Sequence, residues 1–172
     1  PAAVGYVDPG RATSLLLSPL GGLDAAEVRA LSRALRSREL DHAAREERSP
    51  RSSEELVREA VVDPEVLAGI RAPGAERVRR LARLLRAAHR RLAERASAEE
   101  VLWELWDGTD WPHRLRASAE SGGTAARLAH RDLDAVVALF DNAARVEEQR
   151  GHTSVRNFLD GLEGQQIPAD TL

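Results

Sequence analysis

Cysteine, methionine and lysine are all absent from this 172-residue chain, and aromatic side chains make up only 3% of it. Each absence excludes something. Without cysteine there is no disulfide framework, zinc–thiolate centre, iron–sulfur cluster or thiol nucleophile. Without lysine there is no G-x-x-x-x-G-K-[ST] phosphate loop, so the chain carries no nucleotide site of that kind. No apolar run approaches the roughly 20 residues of a membrane span, and no signal peptide opens the sequence, which predicts a soluble, cytoplasmic protein. With no methionine, Pro1 is expected to be either a processed terminus or an interior position of a longer protein.

What is present is arginine, alanine and leucine. All 25 basic residues are arginine, against 28 acids, for a formal charge of −3. Hydrophobic residues reach 42%, β-branched residues are sparse, and no stretch alternates apolar and polar in the manner of a strand. That composition favours helix nearly throughout. The chain is long enough to bury roughly 70% of its unfolded surface in one core. The expected fold is all-α: a single multi-helix domain of about eight helices spanning residues 1–172.

Start and stop signals divide it. Asp24 and Glu27 have capping-box spacing ahead of Val28, Leu31 and Leu35, which predicts a helix over 24–40. Ser52 with Glu55 opens a shorter one, and Asp63–Pro64 a third. After Pro73–Gly74 a long helix is expected over 75–95. Ser97 with Glu100 begins another, stopped by Gly108. Trp111–Pro112 starts a short element that ends before Gly122–Gly123. A second long helix follows over 124–149, with Ala129, Leu133, Val136, Phe140 and Ala143 on one face. Thr153 or Ser154 caps a last helix bearing Val155, Phe158, Leu159 and Leu162. The polar stretch 41–53 is expected to be a solvated loop or loose helix end.

Charge is concentrated. Residues 71–95 hold nine arginines and only two acids, Glu76 and Glu94. On a 3.6-residue period Arg79, Arg83, Arg86 and Arg90 form one narrow stripe, while Val78, Leu81, Leu85 and Leu92 face a core. Guanidiniums on a rigid helix can neutralise successive phosphates, the main source of nucleic-acid affinity. The competing reading is a solvated face, or one paired with acids such as Asp132, Asp134 and Asp141. A second feature is the turn Ser18–Asp24, whose Gly21 and Gly22 allow close backbone approach to another surface or simply connect two helices. Asp24 would occupy the free N–H groups of the next helix and repel an anion there.

Catalytic patterns are missing. The five histidines, His42, His89, His113, His130 and His152, never fall at H-x-x-x-H spacing, and no G-x-S-x-G elbow occurs. Trp103, Trp106 and Trp111 could stack on unpaired bases, but Trp103 and Trp106 stand beside Leu102 and Leu105 and read as core anchors.

Taken in order, several segments resemble a known family. They are Leu15-Leu16-Leu17-Ser18-Pro19-Leu20-Gly21-Gly22-Leu23-Asp24, the basic helix, Leu102-Trp103-Glu104-Leu105-Trp106, Arg131-Asp132-Leu133-Asp134-Ala135-Val136-Val137-Ala138-Leu139-Phe140, Phe158-Leu159-Asp160-Gly161-Leu162, and Gln166 to Leu172. From about residue 11 onward the chain resembles the 2B subdomain of superfamily 1 DNA helicases of the UvrD/PcrA/Rep type, most of all actinobacterial members such as the motor subunits of the AdnAB helicase–nuclease. The resemblance implies an all-helical insertion in the second motor domain of an ATP-dependent 3′–5′ helicase of repair and recombination. ATP and magnesium would then bind the motor domains, with no cofactor or metal in this stretch and no catalytic residue of its own. The implied partners are duplex or junction DNA, held by its backbone, the helicase's own motor domains, and a second helicase–nuclease subunit. The implied DNA-contact candidates are Gly21 and Gly22 in the turn, where an arginine common in relatives is missing, Arg29 and Arg33 on the helix after it, and Arg79, Arg83, Arg86 and Arg90. The alternative is a helical protein–protein interaction scaffold without DNA contact.

Overall fold

The computed structural model describes residues 7–150 together with Phe158 and Leu159. Among these residues every regular element is a helix, and none is a strand. The order is α1 (Pro9–Leu17), α2 (Ala25–Arg45), α3 (Ser53–Val62), a 3-10 turn (Pro64–Leu67), α4 (Ala75–Ala93), α5 (Ala98–Asp107), α6 (Trp111–Glu120) and α7 (Gly123–Arg150). Phe158 and Leu159 are also helical; the rest of the last expected helix lies outside the described residues. None of the helices is long and apolar enough to cross a membrane.

The helix starts follow local rules. Asp24, Ser52 and Ser97 each accept from the backbone N–H three residues on, and Glu27, Glu55 and Glu100 each reach back to the cap, so three reciprocal capping boxes form. Asp8 caps α1 in front of Pro9, its carboxylate accepting from the Arg11 N–H at 2.8 Å. Asp63–Pro64 uses the same Asp-Pro start but gives only one 3-10 turn instead of a third short helix, because the Ala68 N–H already closes back on Glu65.

Two helix ends differ from expectation. Helix α2 runs five residues past 40, because the buried series Leu31, Leu35, Glu39, Ala43 keeps its four-residue step. It then stops in a Schellman turn: the Arg48 N–H donates to the Ala43 carbonyl at 3.0 Å and Glu47 takes φ 50°. Helix α4 ends likewise, with the Ala96 N–H on the Arg91 carbonyl at 2.9 Å and Arg95 at φ 63°. Glycine is the usual residue at such a position.

Contacts divide the chain into two compact units, Pro1–Ala87 and Ala88–Leu172. In the first, α3 packs on both α1 and α2, and the 3-10 turn packs on α3. Its core centres on Leu16, Leu31, Leu35, Val61, Leu67 and Val78, all essentially inaccessible to solvent. Gly21 is buried here. A Cβ at this position would lie 2.4 Å from the Leu16 carbonyl oxygen and 2.5 Å from that of Leu15, so only glycine lets the turn close on the end of α1.

In the second unit α7 packs against α5 and α6, and Gly122 and Gly123, both at positive φ, turn the chain between α6 and α7. Its buried positions are mostly small: Ala98, Ala126, Ala129 and Ala143, with Val101, Leu115 and Phe158. Leu92, expected to face a core, is 40% exposed, because it stands in the last turn of α4, where the buried series has ended at Ala88.

Candidate nucleic-acid interface

The four arginines of the α4 stripe have separate fates. Arg79 is largely internal: it pairs with Glu76 one turn away, holding that carboxyl below the usual carboxylate range, and donates from Nη2 to the Leu67 carbonyl at 2.7 Å. Arg86 donates from Nη2 to Asp63 Oδ1 at 2.7 Å. Arg83 is exposed and among the described residues meets only the Arg79 carbonyl, at 3.3 Å through Nε, which leaves its two terminal nitrogens without an acceptor there. Arg90 is exposed and has no acceptor among the described residues. Periodicity therefore placed all four on one face, but two of them are committed to the fold.

Arg79 belongs to a wider arrangement around the 3-10 turn. Arg38, reaching from α2, donates to the Val66 carbonyl and to that of Ala68 at 3.0 Å. Arg79 takes the Leu67 carbonyl between them, and Arg86 takes the Asp63 cap. Four consecutive residues before Gly69 thus include three whose carbonyls end on guanidiniums. A forked, multi-donor guanidinium suits neighbouring carbonyls of this kind.

The turn before α2 is also engaged from within. The Gly22 N–H donates to the Ser18 carbonyl at 2.8 Å and the Leu23 N–H to Leu16 at 3.0 Å. The Gly22 carbonyl accepts from Arg77 Nη1 at 2.6 Å, and Arg77 also pairs with Glu27. Asp24 Oδ1 takes the Glu27 N–H at 2.8 Å. Gly21 is closed off beneath this turn, while Gly22 keeps part of its surface exposed. On the following helix Arg29 and Arg33 stand one turn apart, both exposed and both without an acceptor among the described residues.

Sequence reasoning missed the strongest electrostatic feature. Glu39 is only 3% exposed, yet it is fully satisfied. It receives Arg48 Nη1 at 2.5 Å, Arg51 Nη2 at 2.9 Å and the Arg51 backbone N–H at 2.8 Å. Arg51 continues to Glu59 on α3 at 2.6 Å. Hydrogen bonds from Arg48 and then Arg51 hold the Glu39 carboxyl far below its ordinary range, and Glu39 in turn raises both guanidiniums. Residues 41–53, expected to be a solvated loop or loose helix end, are mostly exposed: they comprise the last residues of α2 and a connection that Arg48 and Arg51 strap to Glu39. No local signal announces this, since the acid and its cations are nine and twelve residues apart.

The tryptophans also divide. Trp106 and Trp111 pair edge-to-face at 5.3 Å and are partly buried. Trp103 is not a core anchor: it is 52% exposed and rests at 4.9 Å against Phe140 of α7. Helix α5 buries Ala98 and Val101, and Trp103 projects from another side of the helix. Among the described residues no three His, Asp or Glu side chains converge on a metal-sized site.

No protein-family model, curated protein or solved structure matches this chain.

Proposed function

We propose that this chain is a non-catalytic accessory module that grips duplex DNA by its backbone. On the family resemblance of its segments, it is the 2B subdomain of an ATP-dependent 3′–5′ helicase of repair. The single observation that carries the grip is that the candidate arginines Arg29 and Arg33 on α2, and Arg83 on α4, are exposed and have no carboxylate partner among the described residues. Arg90, two turns beyond Arg83 on the same helix, adds a fourth. The first unit, which carries the first three, has 15 arginines against 13 acids, whereas the chain as a whole is acidic.

The mechanism is electrostatic and mechanical. Each guanidinium that meets a phosphate releases condensed counterions, and the gain depends on salt rather than base sequence. Helices α2 and α4 would hold duplex while motor domains outside this stretch, with their own ATP and magnesium, pull one strand. Those motor domains and a second helicase–nuclease subunit are the protein partners this reading implies, in the cytoplasm.

Fluorescence anisotropy with a labelled 20-base-pair duplex of arbitrary sequence tests it. With three or four phosphates neutralised, log K should fall against log salt with a slope of about −3. Affinity that is the same at low and high salt contradicts the proposal. A reading frame with a lysine-bearing phosphate loop upstream would support the parent helicase.

A scaffold without DNA contact is the second reading. It is favoured by Arg79 and Arg86, whose guanidiniums are spent on Glu76, Leu67 and Asp63.

A further inference from the structure

The second unit has the opposite character from the first. Residues 88–172 hold 10 arginines against 15 acids. Its most exposed large apolar groups include Trp103, whose ring rests on Phe140, and Val137 of α7, which is 58% exposed. Val137 and Phe140 are three residues apart and so share a helix face. Soluble proteins expose single apolar side chains freely, but a half-exposed tryptophan backed by a second ring and an aliphatic neighbour is a contiguous patch.

The rim of this patch is acidic. On α5, Glu99 lies one turn before Trp103 and Asp107 one turn after it. On α7, Asp134 lies one turn before Val137 and Asp141 one turn after it. None of these four carboxylates has an ion pair or hydrogen bond through its side chain among the described residues, in contrast to Glu39, Glu59 and Asp63 of the first unit. Of the other α5 acids, Glu100 is held at the Ser97 cap and Glu104 is met by Arg91 only at 3.8 Å. Unpaired negative charge around an exposed indole repels nucleic acid. It suits a cation that can lie on the ring face while its neighbours answer the carboxylates.

We propose that the Trp103–Phe140–Val137 face of α5 and α7 is a docking surface for an arginine-bearing, amphipathic segment of a protein partner. An apolar side chain of that segment would cover Val137 and Phe140. A guanidinium would stack on Trp103, and its flanking cations would face Asp107, Asp134 and Asp141. Tryptophan and arginine are the residues that most often dominate such interfaces. The patch belongs to the second unit and Arg29, Arg33 and Arg83 to the first, so the proposal stands whether or not those arginines hold DNA.

The test uses the full chain and a synthetic Leu/Arg amphipathic helical peptide, with a Leu/Glu peptide of the same pattern as control. Binding is followed by peptide anisotropy and by tryptophan fluorescence. The Leu/Arg peptide is expected to bind and the Leu/Glu peptide is not. Affinity should drop at least tenfold in Trp103→Ala. It should drop by a similar factor in the triple variant Asp107→Asn, Asp134→Asn, Asp141→Asn, which keeps the shape of every side chain and guards against a folding artefact. Unchanged circular dichroism should accompany both. Equal binding of the two peptides, no binding of the Leu/Arg peptide, or indifference to both variants overturns the proposal. So does sedimentation showing a dimer that Trp103→Ala dissociates, since the occupant would then be a second copy.

Discussion

At the scale of single residues, arginine does two jobs that a sequence cannot tell apart. Arg38, Arg77 and Arg79 end on backbone carbonyls, and Arg48 and Arg51 on a buried acid, whereas Arg29, Arg33 and Arg83 meet solvent. Azimuth on a helix is readable from numbering alone, which is why the α4 stripe was legible. Its partners, Asp63 and Leu67, come from another element and were not. Glu39 is the clearest case. Its position, four residues after Leu35, is a core position by spacing, and only the fold supplies the cations that make a carboxylate tolerable there. Because its carboxyl is held below the ordinary range, its contribution is complete above about pH 5 and is lost as the pH falls through the acid range. Replacing it by glutamine, Glu39→Gln, should lower the thermal midpoint clearly at pH 7. The gap between variant and wild type should narrow steadily below about pH 4, as the carboxyl of the unfolded chain takes up a proton while the native one is still held ionised. Parallel melting curves at pH 7 and pH 3 that keep a constant gap would contradict the role given to Glu39.

At the scale of elements, helix starts were legible, and stops were legible where glycine marks them, as at Gly108 after α5 and Gly122–Gly123 after α6. A capping box is written in four consecutive residues, and the three expected at Asp24, Ser52 and Ser97 are formed. The stops of α2 and α4 rest on left-handed turns at Glu47 and Arg95, where no glycine marks the position. An L-residue there costs about 1 kcal/mol or slightly more, and glycine relieves it at some loss of chain entropy. Arg95→Gly should therefore stabilise the protein by about 0.5–1 kcal/mol, read as a rise in the denaturant midpoint with an unchanged slope. A fall in the midpoint would mean that the Arg95 side chain matters more than its backbone. The tryptophans teach the same lesson about packing: Trp103 and Trp106 differ by three positions, yet one is half in solvent against Phe140 of α7 and the other meets Trp111 of α6, because the neighbouring helices offer each a different partner.

At the scale of the whole molecule, the all-α class followed from composition, since an Ala/Leu/Arg-rich chain with few β-branched residues has no other economical fold. What composition concealed was the contrast between the two units. The first packs leucines and valines and carries a small positive excess; the second buries mainly alanines and is acidic. That contrast favours two different partners, a polyanion for one unit and a cationic protein segment for the other. The central claim concerns the first. The most direct measurement of it is duplex binding by the triple reversal Arg29→Glu, Arg33→Glu, Arg83→Glu, titrated with salt beside the wild type. Each lost phosphate contact should take about one unit from the salt slope, so the slope should collapse towards zero and affinity at low salt should fall at least roughly tenfold. A variant that binds duplex with the wild-type affinity and the wild-type slope would show that these arginines do not hold DNA.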